Sequence, residues 1–254
     1  MTPILQHQEN ARYTITLNRV ERKNALTQAM YMELLQALEH ARVDNSIRVL
    51  VLQGHEHIFT AGNDIEDFLA HPPLEPQAPV FRFLQALSSF PKPVVASVCG
   101  PAVGIGASLL LHCDLVVAGD NAAFSLPFVN LGLTPEAASS LLLPQLMGYH
   151  RACEALLLGE PFMAEAALEV GFVNKVVVPA EANQAAQVWA QRLEAKPLNA
   201  LIQTKALLKS ESSAACGERM AREGAVFAQL LGEGAAKEAF AAFIEKRRPD
   251  FSGL

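Results

Sequence analysis

The chain has 254 residues, 51% of them hydrophobic and only 18% charged, against roughly 25% charged in an average soluble domain. That is enough for one large or two small domains with a sizeable core, and it excludes a disordered chain. The net charge is −6 and the longest basic run is Lys246-Arg247-Arg248, so neither nucleic acid nor an anionic membrane is the expected partner.

Met1 to Arg12 is polar and carries no apolar stretch of the kind a secretory leader needs, which points to a soluble, cytoplasmic protein. The final Ser252-Gly253-Leu254 is close to a peroxisomal address without being one. Tyr13 to Leu17 alternates as a short strand and leads into a turn-rich Asn18 to Asn24. Thr27 is placed to cap a helix through about Arg42, with Leu34, Leu35, Leu38 and Ala41 on one face. Arg48 to Gln53 is a continuous apolar strand of the type buried on both faces of a parallel sheet. A loop from Gly54 to Asp64 opens a short helix, Pro72 to Pro79 mark an irregular segment, and Val80 to Ser89 resumes as helix. Val94 to Leu111 carries no charge, but Gly100, Pro101, Gly104 and Gly106 divide it. It therefore predicts a buried strand (Pro93 to Val98), a turn and a helix (Gly104 to His112), and not a membrane span. Asp114 to Ala118 is a further buried strand. From Thr134 onward helical patterns dominate, broken by Phe172 to Val178, and the last helices run from Ala214 to Leu231 and Ala235 to Arg248. Strands alternating with helices predict an α/β fold with right-handed crossovers to a parallel sheet.

No GxSxG, HExxH or GxxxxGK[ST] motif occurs, so hydrolase-elbow, zincin and P-loop chemistry lack support. Cys99, Cys113, Cys153 and Cys216 are scattered without CxxC spacing, and His55 and His57 read as solvated loop residues, so no metal site is expected. Three segments can carry chemistry. Gly100-Pro-Ala-Val-Gly-Ile-Gly106 joins a strand to a helix, where free N–H groups suit an oxyanion. The same segment also fits a tight packing turn, or the start of a dinucleotide fingerprint whose third glycine is replaced by Leu109. Phe59-Thr-Ala-Gly-Asn-Asp-Ile65 can aim a second N–H at the same oxygen, or can simply cap a helix with Asn63 or Asp64. Leu131-Gly-Leu-Thr-Pro-Glu-Ala-Ala138 predicts a helix with Thr134 as N-cap, Pro135 first and Glu136 second. Glu136 is then either a carboxylate at a helix N-terminus or, among apolar neighbours, a proton carrier.

In their order, these segments resemble the crotonase superfamily of enoyl-CoA hydratases and isomerases, over nearly the whole chain from Asn18-Arg-Val-Glu-Arg-Lys-Asn-Ala-Leu26 to Ala242-Phe-Ile-Glu-Lys246. The resemblance implies a spiral of ββα units over residues 1–195 and a C-terminal helical trimerisation region over 196–254. It implies a homotrimer or a hexamer, an acyl-CoA thioester as substrate and partner, and no cofactor beyond the coenzyme A that the substrate carries. Its oxyanion hole falls on the N–H groups of Asn63 and Ile105. The coenzyme A path falls on Lys23, Asn24, Ala25, Leu26, Ala61, Gly62, Asp64, Ile65, Glu66 and Gly104, with Phe243 and Lys246 over the adenine end. The two glutamates that carry hydratase chemistry in the family are replaced by Ser108 and Phe128. The segments are closest in style to the Δ3,Δ2-enoyl-CoA isomerases, in which one glutamate, here Glu136, acts alone. The competing expectations are a hydratase or another acyl-CoA enzyme of the same fold, an NAD-dependent oxidoreductase, and a non-catalytic protein that binds CoA thioesters.

Overall fold

A computed structural model describes residues 2–254. The chain opens with a hairpin, β1 (Ile4–Glu9) and β2 (Arg12–Leu17), followed by α1 (Gln28–Val43), whose N-cap Thr27 accepts from the Met30 N–H at 3.3 Å. Then come β3 (Val49–Gln53), α2 (Ile65–Ala70), α3 (Pro79–Ser88), β4 (Val94–Val98), β5 (Pro101–Val103) and α4 (Ile105–Ser108). The middle of the chain holds β6 (Leu115–Gly119), β7 (Ala123–Ser125), α5 (Ser139–Met147), α6 (Tyr149–Cys153), β8 (Phe162–Met163), α7 (Ala164–Glu169) and β9 (Lys175–Val177). Three helices end it: α8 (Pro179–Glu194), α9 (Leu198–Leu231) and α10 (Gly234–Glu245).

Six strands form the main sheet in the order β1-β2-β3-β4-β6-β9, with every pair parallel except the opening hairpin. A small second sheet, β5-β7-β8, takes one strand from each of the turns that follow β4 and β6, so the chain spirals between the two sheets. The continuous apolar runs of β3 and β4 follow from burial on both faces. Val49, Val51, Val95 and Val117 pack against Ala186 and Ala190 of α8, while Leu50, Leu52, Val94 and Ala96 face the larger core. Among the described residues, no helix is long and apolar enough to cross a membrane.

Three local expectations are corrected. The helix expected from Gly104 to His112 is α4 followed by a tighter 3-10 turn, Leu109–His112. The last long helix begins at Leu198, just past Pro197, and not at Ala214, because the polar Ser210 to Ser213 is helical too. The third correction concerns the chemistry: Thr134 caps nothing, its buried hydroxyl has no partner, and α5 begins only at Ser139. Ala137 and Ala138 adopt left-handed φ of 61° and 55° and break any helix through Glu136. Four strands, β1, β5, β7 and β8, escape the hydrophobic pattern. β1 buries only Ile4, and β5 has three residues inside the glycine-bearing loop.

Candidate active site

Two loops carry the candidate N–H groups, and backbone bonds clamp them together. The Thr60 N–H donates to Pro101 O and the Val103 N–H to Thr60 O, both at 3.0 Å. The approach is too close for a side chain at Gly106, where a Cβ would lie 2.4 Å from Thr60 Cγ2, and Thr60 is fully buried. Beside it, Leu26 bridges Asn63: the Leu26 N–H donates to Gly62 O at 2.8 Å, and the Asp64 N–H donates to Leu26 O at 2.9 Å. In such a parallel bridge the N–H of the middle residue points the other way, and the Asn63 N–H has no backbone acceptor among the described residues. Ile105 is the first residue of α4, so its N–H has no intrahelical partner either. Asn63 and Ile105 line one small cavity of about 80 Å³, walled by Phe68, Phe128, Phe227 and Phe240. Asp64 does cap α2, accepting from the Asp67 N–H at 3.2 Å, so the capping reading of that segment holds as well.

An open cleft of about 430 Å³ adjoins this cavity and shares Asn63 with it. Arg22, Lys23, Ala25, Ala61, Asp64, Ile65, Glu66 and Phe243 line the cleft. Gly62 and Gly104 line the small cavity instead. Asn24 and Leu26 line neither. Asn24 is fully buried, and its side chain donates to Phe59 O at 3.0 Å and accepts from the Arg19 N–H at 2.7 Å, so it holds the cleft wall from behind. Lys246 ends α10 in a left-handed conformation, outside both spaces.

Glu136 lies in neither of these. It lines a third cavity, of about 580 Å³, between α3, α9 and the Leu74–Gln77 segment. The residue is 3% exposed and its Oε1 makes no hydrogen bond. Burial, and then the like charge of Glu223, raise its pKa to about 8. The turn that presents it is braced on two sides. From α9, the Glu223 carboxylate accepts from the Ala138 N–H at 2.7 Å, the Ser140 N–H at 3.0 Å and the Ser140 hydroxyl at 2.5 Å. Glu223 thereby takes the helix-start position expected of Thr134. From the other side, His112 Nε2 lies 2.9 Å from Ala137 O. A carbonyl only accepts, so Nε2 carries the proton, and burial keeps this imidazole neutral by lowering its pKa to about 4. Tyr31 links the two parts of the site. Its phenol donates to Asn63 Oδ1, and burial together with the charges of Glu136 and Asp67 pushes its own pKa well up.

Sequence reasoning missed Glu223, His112 and Tyr31, which bear no motif. The signal available was the rarity of buried charge, but a glutamate in a long polar helix does not declare its burial. At the two positions where a hydratase of the family carries glutamates, Ser108 is fully buried with an unpartnered hydroxyl and Phe128 is buried in the wall of the small cavity.

The family model described as "Enoyl-CoA hydratase/isomerase" matches residues 7–253. The 2,3-dehydroadipyl-CoA hydratase of Escherichia coli is 34% identical over 100% of both chains. Enoyl-CoA delta isomerase 2 of Rattus norvegicus is 38% identical over 74% of this chain and 49% of its own. The solved structure of Pseudomonas aeruginosa OdaA superposes with a TM-score of 0.94 at 43% identity, covering 96% of this chain and 99% of that one.

Proposed function

The chain belongs to the enoyl-CoA hydratase/isomerase family, and from that premise we propose that it is a Δ3,Δ2-enoyl-CoA isomerase with Glu136 as its single proton carrier. One observation carries the reading. The site holds one unpartnered buried carboxylate facing a cavity, while Ser108 and Phe128 supply no second one. Addition of water to a double bond needs one group to activate the water and another to protonate carbon, whereas a double-bond shift needs one base that gives back what it takes.

In this reading the thioester carbonyl enters the small cavity, and coenzyme A lies along the Lys23–Leu26 and Ala61–Glu66 segments. Arg22 and Lys23 offer the cleft positive charge for phosphate groups. The ionised Glu136 takes a proton from C2 of a 3-enoyl-CoA. The C–H electron pair forms the C1–C2 double bond of a dienolate, whose oxygen accepts hydrogen bonds from the Asn63 and Ile105 N–H groups. Glu136 then returns the proton at C4, the C3–C4 double bond moves to C2–C3, and trans-2-enoyl-CoA leaves. Oxyanion donors of this kind are typically worth about 10²–10³-fold each, and the positioned base roughly 10²–10⁴-fold. A raised pKa suits a base that must also act as an acid within one turnover. A homotrimer or hexamer in the cytoplasm, needing no metal or redox cofactor, completes the proposal.

A paired assay tests it. Purified protein is given 3-enoyl-CoA in one cuvette and trans-2-enoyl-CoA in the other, and the conjugated thioester is followed by ultraviolet absorbance. The proposal requires rapid gain in the first and little loss in the second. Rapid loss in the second would make the protein a hydratase that replaces the missing carboxylates with other groups.

A further inference from the structure

The cavity that Glu136 lines has a composition that bears on which acyl groups could enter it. Its walls are mostly apolar, with Leu74 from the proline-rich segment, Phe81 and Leu84 from α3, and Met220 from α9, and the neutral amides of Gln77 and Gln85 are the polar exceptions besides the two acids. Among the described residues that line it, only Glu75, at the exposed rim, and Glu136 are ionisable, and no Lys, Arg or His is present. At about 580 Å³ it has the size of a pocket that encloses a sizeable organic ligand, roughly 300–1,000 Å³.

The wall from α9 contains a second indication. Gly217 and Gly224 both line the cavity and both lie inside the 34-residue helix. A glycine inside a helix costs roughly 0.8–1 kcal/mol relative to alanine, and neither position needs it for backbone reasons. A Cβ at Gly217 would meet nothing, and one at Gly224 would sit 3.7 Å from Phe81 Cζ, an ordinary contact. The two are seven residues, about two helical turns, apart on one helix face. The missing side chains leave open volume between α9 and Phe81.

We infer that this cavity takes the uncharged hydrocarbon tail of a medium-length acyl group, that an acyl group ending in a carboxylate is rejected, and that Gly224 opposite Phe81 sets the length accepted. The inference rests on the role given above to Glu136: C2 and C4 must lie within reach of its carboxylate, so the rest of the tail occupies the space that carboxylate faces. A terminal carboxylate there would find no cation to pair with and two acids beside it.

The test compares decanoyl-CoA with the mono-CoA thioester of decanedioic acid by isothermal titration. The same pair as 3-enoyl thioesters is then compared by turnover, with 3-hexenoyl-CoA as the short reference. Decanoyl-CoA should bind at least tenfold more tightly, and 3-decenoyl-CoA should exceed its ω-carboxylated counterpart about 100-fold in kcat/KM. Gly224→Leu, a substitution favourable to a helix, should lower the ratio of decenoyl to hexenoyl kcat/KM about tenfold. Equal or tighter binding of the ω-carboxylated thioester overturns the inference even if the variant fails to fold, and an unchanged length ratio in a folded variant overturns the role of Gly224. If decanoyl-CoA is preferred but no 3-enoyl-CoA is converted, the isomerase reading fails and the binding inference stands. If isomerisation is rapid and indifferent to the ω-carboxylate, the reverse holds.

Discussion

Glu136 has lost both of the things that hold a carboxylate at its ordinary pKa, water and hydrogen-bond donors, and it has a second acid nearby. With its pKa raised to about 8, Glu136 is mostly protonated at pH 7. In the proposed shuttle the base form abstracts the C2 proton, so kcat/KM should climb with pH and level off above about 8. A profile flat from pH 6 to 9 would contradict this. Glu223 acts on the same group through charge and through the Ala138 and Ser140 amides. The other charged and titratable groups around the Glu136 turn are Arg219, which donates to the Ser140 hydroxyl, the neutral His112, Tyr31 and the rim residue Glu75. Glu223→Gln keeps an acceptor for Ala138 but removes the like charge. The rising limb of kcat/KM should therefore move to lower pH while KM stays within about twofold. Glu223→Ala removes the brace itself and should lower kcat by about 10–100-fold. A purely structural Glu223 would lower Tm in both variants without moving the limb.

At the scale of elements, the site depends on how two loops and one turn are held. The Asn63 and Ile105 amides are set by the clamp between Thr60 and the β5 strand, and Gly106 packs closely against Thr60 in it. Gly106→Ala should cost about 1–3 kcal/mol, read as a fall in Tm. On the proposed mechanism it should also lower kcat more than it raises KM, because the Ile105 N–H would move away from the oxyanion. Much of this was legible in the sequence. The glycine loops, the buried strands and the Thr27 cap followed from local pattern, while the order of segments named Asn63, Ile105 and Glu136 as candidates, of which the fold puts the first two on one cavity and the third on another. What was not legible depended on distant chain. Thr134-Pro135-Glu136 is a good local helix start, yet a carboxylate 85 residues from Ala138 takes the cap and moves the helix on to Ser139. β1 was hidden because an exposed edge strand has no apolar alternation to show, and α9 was shortened because polar helix looks like loop. The resemblance puts Asn24 among the coenzyme A contacts, whereas the fold buries it behind the cleft wall, a distinction that depends on burial alone.

For the whole molecule, the raised pKa of Glu136 has a consequence for stability. In the unfolded chain this carboxyl titrates near its ordinary 4.5, and in the folded protein near 8. The folded state holds the proton more tightly, so this contribution is full below about 4.5 and is lost as pH rises through about 8. Tm should fall between pH 5 and 9, and Glu136→Gln should flatten that fall; an unchanged slope in the variant would mean that Glu136 titrates normally. The surface carries large exposed apolar side chains, among them Tyr149, Leu157, Leu207 and Leu208. Light scattering should give a mass three or six times the 27.4 kDa of one chain, with these residues covered between subunits. A monomer at micromolar concentration would contradict the assembly proposed.

The central claim is that one carboxylate carries the proton from C2 to C4. Its most direct test is the rate of conjugated product formation from 3-decenoyl-CoA by the wild type and by Glu136→Gln, with thioester binding measured in both. Binding should be retained within a fewfold while turnover falls by about 10³-fold or more. A Glu136→Gln protein that binds and isomerises at close to the wild-type rate would contradict it.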